Sequence, residues 1–200
     1  MILDSALLEA FRGLSASTVY EANGKAGDVA LALRPIGLAS TLVGRACTVR
    51  CWPGDLGAVR RAVDGVGPGD VLVIDSGCGD QGTTWGGGAT IAAIRLGLAG
   101  VVTNGTTRDV AQVQELGLPV FCAGSAVRGG TRAHAGWVGV PVALGGVVVA
   151  PGDLVLADMD GIVVVARQEA RAVLQRATER HRQEQAREER LRAGEAYNFE

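Results

Sequence analysis

The sequence predicts a mixed α/β domain with parallel and antiparallel sheets and a long C-terminal helix. Three observations carry that expectation. Short valine-rich runs bounded by Gly, Pro and Asp recur from residue 36 onward and read as strands. Two of them, VLVIDSG and GVVTNG, are separated by GGATIAAIRLGLAG, long enough for a helix, which makes a βαβ unit. The tail ARQEARAVLQRATERHRQEQAREERLRAGE carries a stripe of Ala166, Ala170, Val173, Leu174 and Ala177, beyond which nearly every side chain is charged or polar.

The opening DSALLEAFRGLSASTVYEAN reads as two helical pieces split by GLSAS, with Ser15 or Ser17 available to cap the second. Strands are then expected at IGLAS, GRACTVRCW, VLVIDSG and GVVTNG. The intervening helix offers apolar Ile91, Ile94, Leu96 and Leu98, with glycine just past its end. A second helix, RDVAQVQELG, leads to PVFCAGS, so parallel pairing continues there. WVGVPVALGGVVV and LVLADMDGIVVVA follow through GG and PGD turns, which suit hairpins. Two hundred residues suffice for one core, expected over 1–165, with 166–200 as a helical extension. Glu188 and Arg192 stand at favourable i,i+4 spacing, so that extension is either a solvated helix or an arm packing on a neighbouring subunit.

A formal net charge of -2 and a pI of 5.7 give no electrostatic footprint for nucleic acid. No basic leader precedes an apolar stretch, and later apolar runs are broken well short of a membrane span, so a cytoplasmic protein is expected. Cys47, Cys51, Cys78 and Cys122 form no CxxC pair and read as small buried hydrophobes. Lys25 is the only lysine, and His134 and His181 are the only histidines. A three-histidine zinc site cannot be built within one chain, and a Schiff base would have to use Lys25. Oxygen ligands and arginine remain as the tools of an enzyme.

In a parallel βαβ unit, the loops leaving the carboxyl ends of adjacent strands lie side by side and bind ligands. The first, SGCGDQGTTWGGGAT, is glycine-rich and opens a helix, so Gly86, Gly87, Gly88 and Ala89 can present N–H groups to an anion. It lacks the GxxxxGK[ST] phosphate signature, which favours a small carboxylate over a nucleotide. The second, NGTTRDV, adds Arg108, able to grip a carboxylate or carbonyl oxygen through two hydrogen bonds. Beside it, Asp109 is either a helix cap or the single carboxylate of a water-rich Mg²⁺ site. Anion loop, guanidinium and metal carboxylate together suit an α-keto acid.

VYEANGKAG, GRACTVRCWPGD, WGGGATIAAIRLGLAGVVTNGTTRDV and GGVVVAPGDLVLADMDGIVVV, in this order, resemble the RraA-like family. That family includes 4-hydroxy-4-methyl-2-oxoglutarate aldolase, also called 4-carboxy-4-hydroxy-2-oxoadipate aldolase, and regulators that bind RNase E. The resemblance implies a swivelling β/β/α domain assembled as a homotrimer or homohexamer with sites between protomers. It also implies Mg²⁺ or Mn²⁺ as cofactor, and cleavage of a 4-hydroxy-2-oxo diacid to pyruvate or decarboxylation of oxaloacetate. On that likeness Arg108 holds the pyruvyl oxygens, Asp109 anchors the metal, and amides near Gly88 and Ala89 bind the carboxylate. The aldolase pattern sets an acid twenty-one positions before the Arg-Asp pair, and here that position is Gly87. Asp80 on the same loop is a candidate substitute, and Glu184 on the tail is a candidate acid from a neighbouring subunit. Arg128 and Arg132 stand where the family carries a lysine-containing stretch, and Arg132 is the candidate substrate contact.

Overall fold

The computed structural model describes residues 3–30, 33–37, 41–77 and 82–196. Two short helices open the chain, α1 (Ser5–Phe11) and α2 (Ala16–Ala22). Asp4 caps the first by accepting from Leu7 N at 2.8 Å, and Ser15, one of the two caps the sequence offers, accepts from Thr18 N at 3.1 Å. The chain continues through β1 (Arg34–Pro35), β2 (Leu42–Arg50), α3 (Gly57–Val63) and β3 (Asp70–Asp75). Next come β4 (Thr83–Trp85), α4 (Gly87–Arg95), β5 (Gly100–Thr103), β6 (Thr106–Thr107), α5 (Val110–Leu116), β7 (Val120–Cys122) and β8 (Gly124–Ser125). The last part runs β9 (Trp137–Val138), β10 (Val142–Leu144), β11 (Val147–Val149), β12 (Leu154–Ala157), β13 (Ile162–Val165) and α6 (Ala170–Arg192).

The main sheet has the order β1-β7-β5-β3-β2-β12-β13, with β9 also paired to β2. Its β7-β5-β3-β2 centre is parallel, as the βαβ pattern requires, and β12 and β13 add antiparallel strands through the expected hairpin. Alternation along the strands assigns the two faces. Val43, Val49, Leu72, Ile74, Leu154 and Leu156 meet the helices, whereas Val71, Val73, Val102 and Val155 meet the β10–β11 hairpin. Both faces are covered, so β3, β5, β12 and β13 are apolar almost throughout rather than alternating. The result is three layers, hairpin, mixed sheet and helices, as the β/β/α expectation required.

Four details depart from the sequence reading. The helix expected from Arg108 begins at Val110, because Asp109 takes φ 57 in the left-handed region and cannot continue a helix. IGLAS is not a strand over residues 36–37, and residues 38–40 lie outside the described residues; β1 sits just before it. Helix α3 was not anticipated. Nor was a second, three-stranded parallel sheet, β4-β6-β8, whose members each follow a parallel strand of the main sheet.

The first half of α6 belongs to the chain's own core: Ala170, Val173 and Ala177 are buried against α1 and α2, with Leu174 partly buried beside them. Arg176 Nε also donates to Ala22 O at 2.8 Å. From residue 185 onward the helix is almost entirely exposed. On α4 the buried residues are Gly87, Thr90 and Ala93, whereas Ile91 and Ile94 remain 43% and 42% exposed. The described cysteines Cys47, Cys51 and Cys122 are free and at least partly buried, and burial pushes the Cys51 thiol up to about 12, so none is a poised nucleophile.

Candidate active site

The small β4-β6-β8 sheet gathers the two loops that the sequence singles out. Strand β4 ends at Trp85 and feeds α4, and β6 ends at Thr107 and feeds α5; the pairs Thr83–Thr106 and Trp85–Thr107 set them side by side. Buried hydroxyls tie the pair to the main sheet, with Thr84 and Thr103 in contact at 2.9 Å. The start of α4 is fixed by its own sequence: Trp85 Nε1 donates to Thr90 Oγ1 at 2.8 Å, and Thr90 Oγ1 donates to Gly86 O at 3.0 Å. The first-turn N–H groups of Gly88 and Ala89 have no intrahelical acceptor.

Arg108 and Asp109 follow directly from β6. Asp109 occupies the N-cap position of α5, yet its side chain makes no capping bond. Instead its Oδ2 accepts from Gly87 N across the gap at 3.1 Å and lies 3.6 Å from Arg108 Nε. Its Oδ1 has no hydrogen-bond partner among the described residues. The side chains of Arg108 and Asp109 are 47% and 44% exposed. The carboxylate is thus tied to a neighbouring loop rather than to its own helix, and it is left accessible.

The cleft between these loops and α3 has a volume of about 370 Å³. Gly88, Ala89, Arg108, Asp109 and Arg132, all named from the sequence, line it together. Gly87 lies buried just behind, its N–H spent on Asp109. Asp80 lies outside the described residues. Within the chain, Glu184 does not reach the cleft: it accepts from Thr18 Oγ1 at 2.9 Å and pairs with Arg180 at 2.8 Å. Lys25 is likewise elsewhere, 3.9 Å from Glu21.

The sequence reading missed Arg60 on α3 and Asp64 at its C-terminal cap, which line the cleft. Leu56, Val59 and Val63, at i, i+3 and i+7, are the periodic signal that could have revealed this helix. Gln112 was also missed. Its carboxamide fills the space beside Gly87, with Oε1 1.8 Å from where a Cβ on residue 87 would stand. Glycine at 87 and glutamine at 112 therefore occupy one site jointly.

On the opposite wall, the buried Asp55 organises the loop that carries Arg132. Burial alone would raise its pKa. The Thr131 hydroxyl and the N–H groups of Gly57, Ala133 and His134 more than offset this and hold the carboxyl well below the usual carboxylate range. A depressed folded pKa contributes stability above the unfolded value of about 4 and loses it as pH falls through the folded one. Acid unfolding of Asp55→Asn should therefore differ most from the native chain above about pH 4 and converge with it at lower pH. A constant difference down to pH 2 would contradict this assignment.

The RraA-like family profile, described as aldolase/RraA, matches residues 12–164. The chain belongs to the RraA-like family. A protein of Halalkalibacterium halodurans, provisionally named a 4-hydroxy-4-methyl-2-oxoglutarate aldolase, is 32% identical over 179 residues, 89% of this chain and 85% of that one. Among solved structures, an uncharacterized Pseudomonas syringae pv. tomato protein superposes with a TM-score of 0.87 at 26% identity, covering 98% of this chain and 96% of the other. Streptomyces coelicolor RraAS2, described as an unusual member of the RNase ES inhibitor RraA family, gives 0.84 at 30% identity, with 92% and 96% covered. The RraA-like fold thus extends over the cleft and both of its loops. Among the described residues, no helix is long and apolar enough to cross a membrane.

Proposed function

We propose that this RraA-like chain is a divalent-metal-dependent carbon–carbon lyase acting on a 2-oxo acid. The observation that carries the reading is the convergence of Arg108, Asp109 and the Gly88–Ala89 amides on one cleft. The substrate is a 4-hydroxy-2-oxo diacid, cleaved to pyruvate and a second 2-oxo acid, or oxaloacetate, which loses carbon dioxide.

The donor set suits Mg²⁺ or Mn²⁺. Among the described residues no group of three or more His, Cys, Asp or Glu could hold a metal, and a single accessible carboxylate with water is how such hard ions are commonly bound. Asp109 would be the protein ligand, and an ion held there would supply Lewis-acid stabilisation at the substrate keto oxygen. The free N–H groups at the start of α4 receive the 1-carboxylate. Arg108 donates to the pyruvyl oxygens, and its guanidinium opposes the negative charge that grows there as the C3–C4 bond breaks. Either bond cleavage leaves the same pyruvate enolate, so one site serves both reactions. Pyruvate incubated in D₂O with the protein and Mg²⁺ should exchange its methyl protons; a methyl signal that stays constant would argue against enolate formation here.

The missing acid at position 87 bears on rate. A Gly87→Asp variant is expected to fold, because only the flexible end of Gln112 must move aside. It should raise oxaloacetate turnover by about 10²-fold if proton transfer is limiting. Unchanged turnover would show that this chain does without the acid.

The exposed Ile91 and Ile94 on α4 are apolar surface that the homotrimer or homohexamer of this reading would cover, and sedimentation velocity would report the assembly. The second reading is a noncatalytic regulator binding RNase E, favoured by the likeness to RraAS2. It predicts co-purification with RNase E by a variant lacking Asp109, and no association would remove it.

A further inference from the structure

The loop at residues 127–135 contains no buried residue, yet it supplies Arg132 to the cleft. Its one ring contact is His134 against Trp52, with centroids 5.7 Å apart, and otherwise its shape depends on polar ties. At one end Thr83 N donates to Arg128 O at 2.9 Å, and at the other Arg61 Nη2 donates to Gly136 O at 3.0 Å. The middle rests on Asp55, whose side chain is 3% exposed.

Both oxygens of that carboxylate are used. Oδ1 accepts from Gly57 N at 2.8 Å, while Oδ2 accepts from Thr131 Oγ1 at 2.6 Å, Ala133 N at 2.7 Å and His134 N at 3.2 Å. The backbone adds Thr131 N to Gly54 O and Leu56 N to Thr131 O, each at 2.8 Å. Among the described residues no arginine or lysine pairs with Asp55, and only His134 Nδ1 approaches, at 3.5 Å. A buried carboxylate without a strong cation is costly unless its hydrogen bonds are filled, and three of these four bonds hold one loop segment. Arg132 lies between two of the residues so held, Thr131 and Ala133, and its own side chain has no hydrogen-bond or ion-pair partner among the described residues. Its guanidinium is free for a ligand.

We propose that Asp55 is a positioning residue that fixes the 131–134 segment and so holds the Arg132 guanidinium in the cleft wall, ready for a substrate carboxylate. The substrate half of this inference rests on the 2-oxo acid reading; the clamp does not. Asp55 touches no substrate and acts only through Arg132.

Two readouts on Asp55→Asn, with Thr131→Val as a milder variant that keeps the buried charge, test both halves. Limited trypsin digestion followed by mass spectrometry reads cleavage after Arg132. Steady-state oxaloacetate turnover with Mg²⁺ reads KM and kcat. Cleavage after Arg132 should quicken about tenfold in Asp55→Asn while melting stays cooperative. KM should rise about tenfold, the scale of one lost charge-assisted contact, with kcat within about threefold. Adding Arg132→Ala to Asp55→Asn should raise KM no further than Arg132→Ala alone. Unchanged cleavage in both variants, unchanged KM, or additive KM effects would overturn the proposal. Absence of turnover by the native chain would instead sink the lyase reading, and the trypsin result would then decide the clamp by itself.

Discussion

Asp109→Asn is expected to lower metal-dependent turnover by roughly 10³-fold or more, because the charge that would anchor the ion is lost together with its Lewis-acid contribution. Asparagine is the informative replacement here. It has nearly the same volume, tolerates the left-handed backbone at φ 57, and its carbonyl can still accept the Gly87 N–H. Folding should therefore be preserved, with a melting temperature close to that of the native chain. Asp109→Ala should be equally inactive but less stable, since a strained backbone position loses a side chain that tolerates it, at a cost of about 1–3 kcal/mol. Native activity in the asparagine variant would remove Asp109 from the chemistry.

Arg108→Ala is expected to cost about 10²- to 10³-fold in kcat, the scale for losing a donor aimed at developing oxyanion charge. Lysine should rescue it poorly, because an ammonium is a point charge and cannot supply the two parallel N–H bonds of a guanidinium. Since the Arg108 side chain is about half exposed, added guanidinium should restore part of the activity to the alanine variant and none to Asp109→Asn. A lysine variant with full kcat would show that only net charge is needed there.

Much of this architecture was legible in the sequence because it follows from period and punctuation. VLVIDSG, the helix after WGGG, and GVVTNG gave the parallel unit, and the two loops leaving it do converge on one cleft. The β4-β6-β8 sheet was not legible, since runs of two or three residues carry no periodic signal. Helix α3 hid behind an apolar spacing that was present but short. Gln112 was beyond the sequence altogether: its place beside Gly87 arises only when α4 and α5 pack, although twenty-five positions separate the two residues along the chain. The same holds for Asp55 and the 131–134 segment, which are joined by hydrogen bonds over 76 to 79 positions. Helix α4 shows the limit of apolar content as a guide, since the chain leaves Ile91 and Ile94 exposed.

Pyruvate release from oxaloacetate and from 4-hydroxy-4-methyl-2-oxoglutarate, measured with Mg²⁺ or Mn²⁺ and again with excess EDTA, tests the central claim most directly. The Arg108 and Asp109 cleft predicts release from at least one of the two, abolished by EDTA and restored by added metal. No release from either, or release indifferent to EDTA, would contradict a metal-dependent lyase at this site.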